Sequence, residues 1–100
     1  MRDYNFYVYI ITTPDKTVLY IGVTNNLERR MQEHTENSGK TVTFAGKYHC
    51  YNLVYYEHFT HIEFAILREK ELKKWSRKKK EQLIETENPQ WLFLNNTLSL

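Results

Sequence analysis

Charged side chains in faces that should be apolar are the first chemical signal in this sequence. Leu27, Met31 and His34 recur at helical spacing and mark a face that would lie against a sheet. Arg30 shares that face, whereas Arg29 is rotated away and Glu28, Gln32 and Glu33 fall mostly on the outer side. Further on, Ile62, Ala65, Ile66 and Leu72 form a second apolar stripe, and Glu69 lies inside it while Lys70 and Glu71 do not. A guanidinium and a carboxylate turned inward need partners, because a buried unpaired charge is costly. Spacing alone leaves three outcomes: a structural Arg30–Glu69 or Lys–Glu pair, an Arg30 whose head reaches water from the edge of its stripe, or a reaction centre. With Tyr9 and Tyr20 nearby, the third would suit phosphodiester hydrolysis. The transition state gathers charge on phosphate oxygens, which an Arg and a divalent cation stabilise. One carboxylate completed by water and phosphate oxygens suits Mg²⁺, and a Tyr or His beside the attacking water can accept its proton.

The elements that would position these groups are legible. Phe6 to Thr13 (FYVYIITT) and Thr17 to Thr24 (TVLYIGVT) are rich in aromatic and β-branched residues, with the turn signal Pro14-Asp15-Lys16 between them. They predict an antiparallel hairpin. A loop of Thr13 to Lys16 would set Tyr9 opposite Tyr20 on one face, with Gly22 two residues further along it. Asn25 and Asn26 are N-cap residues for a helix from Leu27 to about Glu36, which Asn37-Ser38-Gly39 ends. Residues 40–51 are expected to be an irregular, basic and aromatic loop. Asn52 to Phe59 predicts a third strand. Thr60 with Glu63 predicts a capping box opening a helix to about Trp75, and Ser76 a cap for a last helix, Arg77 to Thr86. The tail Trp91 to Leu94 is expected to pack back on the core, or else to dock a partner or a second copy. The order is β-β-α-β-α-α, an α+β domain with a small three-stranded antiparallel sheet flanked by helices.

With 100 residues, the chain has room for one compact domain, expected to span 1–100. Net charge is only +2, yet Arg68 to Lys80 holds eight basic residues against Glu69 and Glu71. Such a run is either the solvated side of two helices or a phosphate-binding surface. A single cysteine, Cys50, excludes an intrachain disulfide, and no Cys/His spacing suggests zinc. With no signal-like apolar run and no stretch near the ~18 apolar residues of a membrane span, a soluble cytoplasmic protein is expected.

The hairpin residues Tyr7-Val8-Tyr9 and Tyr20-Ile21-Gly22 resemble the two short motifs of the GIY-YIG nuclease superfamily. Tyr20 to Arg30 (YIGVTNNLERR) resembles its strand-to-helix segment ending in the catalytic Arg. His34 matches a His found in many members, and Ala65 to Lys73 (AILREKELK) resembles the helix carrying the metal-binding Glu. The likeness covers about residues 5 to 94 and departs at Tyr7, where the first motif begins with Gly. It is greatest to small stand-alone bacterial proteins that resemble the N-terminal nuclease domain of the excinuclease C subunit. The resemblance implies one-metal hydrolysis of DNA, in repair or recombination. Tyr9 and Tyr20 would position or deprotonate the water, Arg30 would stabilise the phosphate, His34 would join them, and Glu69 would hold Mg²⁺ or Mn²⁺. Gly22, Lys47, Tyr48, Lys73 and Lys74 complete the expected substrate-binding set. Another DNA-binding protein or a homodimer is the further partner it allows. The competing reading is a nucleic-acid-binding module with little or no catalysis.

Overall fold

The computed structural model describes residues 4–40 and 44–98. Three strands form one antiparallel sheet in the order β2-β1-β3: β1 is Phe6–Thr12, β2 Leu19–Thr24 and β3 Asn52–Phe59. β1 is central and covered on both faces, so Val8, Tyr9, Ile10 and Ile11 are all buried in succession. One face, with Val8, Ile10, Ile21 and Val54, packs under α3 (Ile62–Lys74) and α4 (Arg77–Glu87) through Ala65, Leu72 and Ile84. The other face, with Tyr9, Ile11 and Leu53, packs under α1 (Leu27–Glu36) through Leu27 and Met31. The α+β class and the sheet expected from the sequence are those observed.

The hairpin register differs from expectation. Tyr9 lies opposite Gly22, and Ile11 opposite Tyr20, so the connection runs from Thr13 to Val18. Side chains capture the backbone groups that Thr17 and Val18 would have given to the ladder. Thr13 Oγ1 accepts from Thr17 N at 3.0 Å and Val18 N at 3.3 Å. Arg77, from α4, donates to the carbonyls of Lys16 and Thr17, both at 2.8 Å. Asp15 accepts from the hydroxyls of Thr13 and Thr17, which holds its carboxyl below the usual range. The slip is by two residues, so Tyr9 and Tyr20 keep a common face but are diagonal neighbours.

Asn26 caps α1 by accepting from Arg29 N at 3.0 Å, and Gly39 past its end has φ +86°. The segment expected to be irregular contains a one-turn helix, α2 (Phe44–Lys47); its residues 41–43 lie outside the described residues. The capping box at Thr60 is not formed. His61 is the N-cap of α3, without a side-chain cap bond, so Glu63 sits one position too early to reach back. Ser76 does cap α4, accepting from Lys79 N.

The tail closes the outer edge of β3. Leu94 N donates to Leu53 O at 2.7 Å, and Asn95 accepts from Leu53 N at 2.8 Å. Trp91 and Leu94 pack inward, while Leu92 and Phe93 are exposed. Buried Asn88 ties this strap down: its amide donates to Val54 O and Leu92 O and accepts from Leu92 N, each at 2.9 Å. Asn88→Ala is expected to remove about 2–3 kcal/mol of stability, since a buried carbonyl is orphaned along with the lost bonds. Urea unfolding checks this as a lower midpoint at unchanged slope.

Candidate active site

Tyr9 is fully buried, and its ring lies against the bare Cα of the cross-strand Gly22. A Cβ on Gly22 would stand 2.3 Å from the Tyr9 hydroxyl and 2.4 Å from Cζ. Gly22 therefore leaves the space that the tyrosine ring occupies. Two residues of α1 meet that hydroxyl. Arg30 Nε donates to it at 3.3 Å, and His34 Nε2 is 2.9 Å away. Arg30 only donates, and the direction of the Tyr9–His34 bond follows from which imidazole nitrogen carries the proton. Tyr20 reaches the same imidazole edge-on, with ring centroids 5.7 Å apart.

Electrostatics keep Tyr9 and His34 neutral beside the charged Arg30. Burial, opposed by the Arg30 bond and charge, pushes the Tyr9 phenol up to about 12. Burial and the Arg30 charge pull His34 down to about 4. The bond to Tyr9 holds the Arg30 guanidinium above its usual value, with help from Glu33. The Arg30–Glu33 pair at 3.2 Å has both side chains more than two-fifths exposed, so it contributes little to stability and leaves Arg30 accessible. Glu33 was expected on the outer side; its i+3 spacing from Arg30 was the signal available for this pair.

Glu69 comes from α3, which packs on β1 and β2. Its side chain is 16% exposed, and its negative charge is felt at Tyr9. Its ion pair is with Lys73, 3.5 Å away, rather than with Arg30. Among the described residues no three His, Cys, Asp or Glu side chains gather as a metal cage. A cation on Glu69 would therefore draw the rest of its shell from water and ligand oxygens. That donor chemistry fits Mg²⁺ or Mn²⁺ rather than zinc.

β1, β2 and α1 thus bring Tyr9, Tyr20, Arg30 and His34 together, with Gly22 beneath Tyr9, while Glu69 on α3 reaches them through its charge at Tyr9. Lys47 and Tyr48 are exposed on and after α2, the ammonium 5.5 Å from the ring centroid. Lys73 and Lys74 are exposed at the end of α3. Much of the basic run is engaged. Arg68 pairs with Glu57 at 2.9 Å and with Glu71, and Arg77 pairs with Glu81. Lys79 lies 4.1 Å over the Trp75 ring, which Arg68 meets at 5.1 Å. Lys70, Lys74, Lys78 and Lys80 make no ion pair among the described residues.

No helix among the described residues is long and apolar enough to cross a membrane. Compared with known proteins, residues 5–82 match the model of the GIY-YIG catalytic domain. A UPF0213 protein from Haloquadratum walsbyi is 40% identical over 85 residues, covering 85% of this chain and 91% of that protein. One from Syntrophus aciditrophicus is 43% identical over 88 residues, covering 84% and 93%. The solution NMR structure of a UPF0213 protein from Bacillus halodurans matches with a TM-score of 0.55 at 34% identity, covering 96% of both chains.

Proposed function

The chain belongs to the GIY-YIG catalytic domain family, and on that premise we propose that it is a divalent-metal-dependent endonuclease that hydrolyses DNA phosphodiester bonds, with a role in repair or recombination. The observation that carries the reading is the Tyr9 hydroxyl held between Arg30 and His34 in the neighbourhood of Glu69. A divalent ion on Glu69, when bound, would supply Lewis-acid stabilisation of the phosphate and of the departing oxygen. Arg30, fixed through Nε and exposed beyond it, aims its remaining N–H groups at a phosphate oxygen. Tyr9 is fully buried and, raised to about 12, is a poor base; it is a positioning residue that orients Arg30 and His34. Tyr20, half-buried against His34, is the tyrosine suited to hold the attacking water, and His34, neutral at neutral pH and bonded to Tyr9, helps to position both rings.

The test is to incubate the chain with flapped, branched, single-stranded and duplex DNA in Mg²⁺ or Mn²⁺. Cleavage that a chelator stops is expected; no cleavage of any substrate would overturn the reading. The second reading, a binding module, draws on Lys70, Lys74, Lys78, Lys79 and Lys80, which make no ion pair among the described residues. Binding there is expected to weaken steeply with salt, and affinity unchanged from low to physiological salt would exclude it.

His34 also makes a stability prediction. Its folded value is about 4 against a reference of 6.5, so the unfolded chain takes up a proton first. The resulting stabilisation is complete above about 6.5 and is lost as pH falls toward about 4. Urea midpoints of wild type are expected to drop across this window more than those of His34→Asn, whose site cannot titrate.

A further inference from the structure

β1 and β3 carry a second polar and aromatic surface beyond Tyr9. Tyr7 pairs across with His58 and Tyr9 with Tyr56, which puts Tyr7, Tyr56 and His58 on the face that α1 covers. The Tyr7 ring meets Tyr56 edge-on with centroids 6.2 Å apart and lies 5.2 Å from His58. Tyr56 is nevertheless 41% exposed, so part of this aromatic surface is open to solvent. With the start of α1, Tyr7 and Tyr56 line a groove of about 370 Å³, whose polar lining includes Asn5, Asn25, Asn26 and Glu28.

The hydrogen bonding of that wall is directional. Asn5 Oδ1 accepts from His58 Nε2 at 2.7 Å, Asn25 Oδ1 from Arg29 Nη2 at 3.2 Å, and Asn26 Oδ1 from Arg29 N at 3.0 Å. Each amide oxygen already accepts one bond while the amide N–H groups make none among the described residues, so free donors are what the asparagines offer a ligand. Glu28 is exposed, makes no ion pair among the described residues, and offers an acceptor. The complement is a flat ring with carbonyl oxygens for the amides and a ring N–H for the carboxylate. Thymine, uracil and guanine carry that combination; adenine has no carbonyl and cytosine no ring N–H. In a duplex that edge is paired, so the base must be unpaired. Arg29, bonded to Asn25 at the rim, supplies a cation for the adjoining phosphate.

We propose that this groove binds an unpaired keto base of a nucleic-acid strand, with Tyr56 as the stacking surface and Glu28 and the asparagines reading the base edge. The assignment rests on the nuclease reading only for taking the ligand as nucleic acid, and it narrows the substrate to one with an unpaired segment. The test is an amide chemical-shift titration of the isotope-labelled chain with short oligothymidylate and oligoadenylate, in chelator so that nothing is cut. Oligothymidylate is expected to shift the amides of Tyr7, Asn25, Glu28 and Tyr56 and to bind about tenfold tighter than oligoadenylate. Tyr56→Ala, at an exposed position, is expected to weaken oligothymidylate binding by about tenfold. Shifts confined to the α3–α4 lysines, or equal affinity for the two oligomers, would overturn the proposal. The two readings fail separately. A chain that binds oligothymidylate here but cuts nothing keeps the groove and loses the nuclease. One that cuts flaps while these amides stay silent does the reverse.

Discussion

Glu69→Gln is expected to lower DNA cleavage by about 10³-fold or more while leaving the protein folded. The substitution keeps the side chain's size and hydrogen bonding but removes the charge that would anchor a hard cation. Among the described residues no group of three or more His, Cys, Asp or Glu side chains could hold the ion instead. The structural cost is small. Among the described residues Glu69 pairs only with Lys73, at 3.5 Å, and the ammonium partner is half exposed, so the pair is worth less than about 1 kcal/mol. Urea unfolding of the variant should overlay wild type, and DNA affinity in chelator should be unchanged or tighter, because a negative charge near the phosphate has gone. Excess Mn²⁺ should restore little. Cleavage at the wild-type rate would remove Glu69 from the mechanism and the one-metal reading with it.

The sequence made the fold readable where periodicity is local. β1, β3, α1 and α4 follow from alternation, apolar spacing and the caps at Asn26 and Ser76. The hairpin register was not readable, because it depends on Arg77, sixty residues along the chain, bonding the Lys16 and Thr17 carbonyls. The slip left Tyr9 and Tyr20 on one face, since a two-residue shift exchanges no faces. The meeting of Arg30 and His34 on the Tyr9 hydroxyl and the depressed His34 could not be read from spacing. They arise only when burial and a guanidinium converge on one hydroxyl. Asn88 reads in sequence as a helix stop; its larger role, strapping the tail to β3, needs the tail's position.

That hydroxyl is also where a single methyl group should do most harm. Gly22→Ala is expected to cut cleavage by about 10²-fold and stability by about 1–3 kcal/mol. The backbone does not demand glycine: Gly22 is in a regular strand and its φ is not left-handed, in contrast to Gly39. The objection is steric. The new Cβ would stand 2.3 Å from the Tyr9 hydroxyl, 2.4 Å from Cζ and 3.0 Å from Cε1, and those atoms belong to a fully buried ring on the central strand. The ring must turn or the strands must part, and either movement breaks the 2.9 Å contact with His34 and the 3.3 Å bond from Arg30. Arg30 then loses the tether that fixes its Nε, and its aim at a phosphate with it. If the clash is the cause, it must vanish with the ring. In a Tyr9→Leu background, Gly22→Ala is expected to cost less than about 0.5 kcal/mol, so the two substitutions are strongly non-additive. Equal costs in the two backgrounds would mean that Gly22 matters for the strand itself, and that the tyrosine is positioned by other contacts.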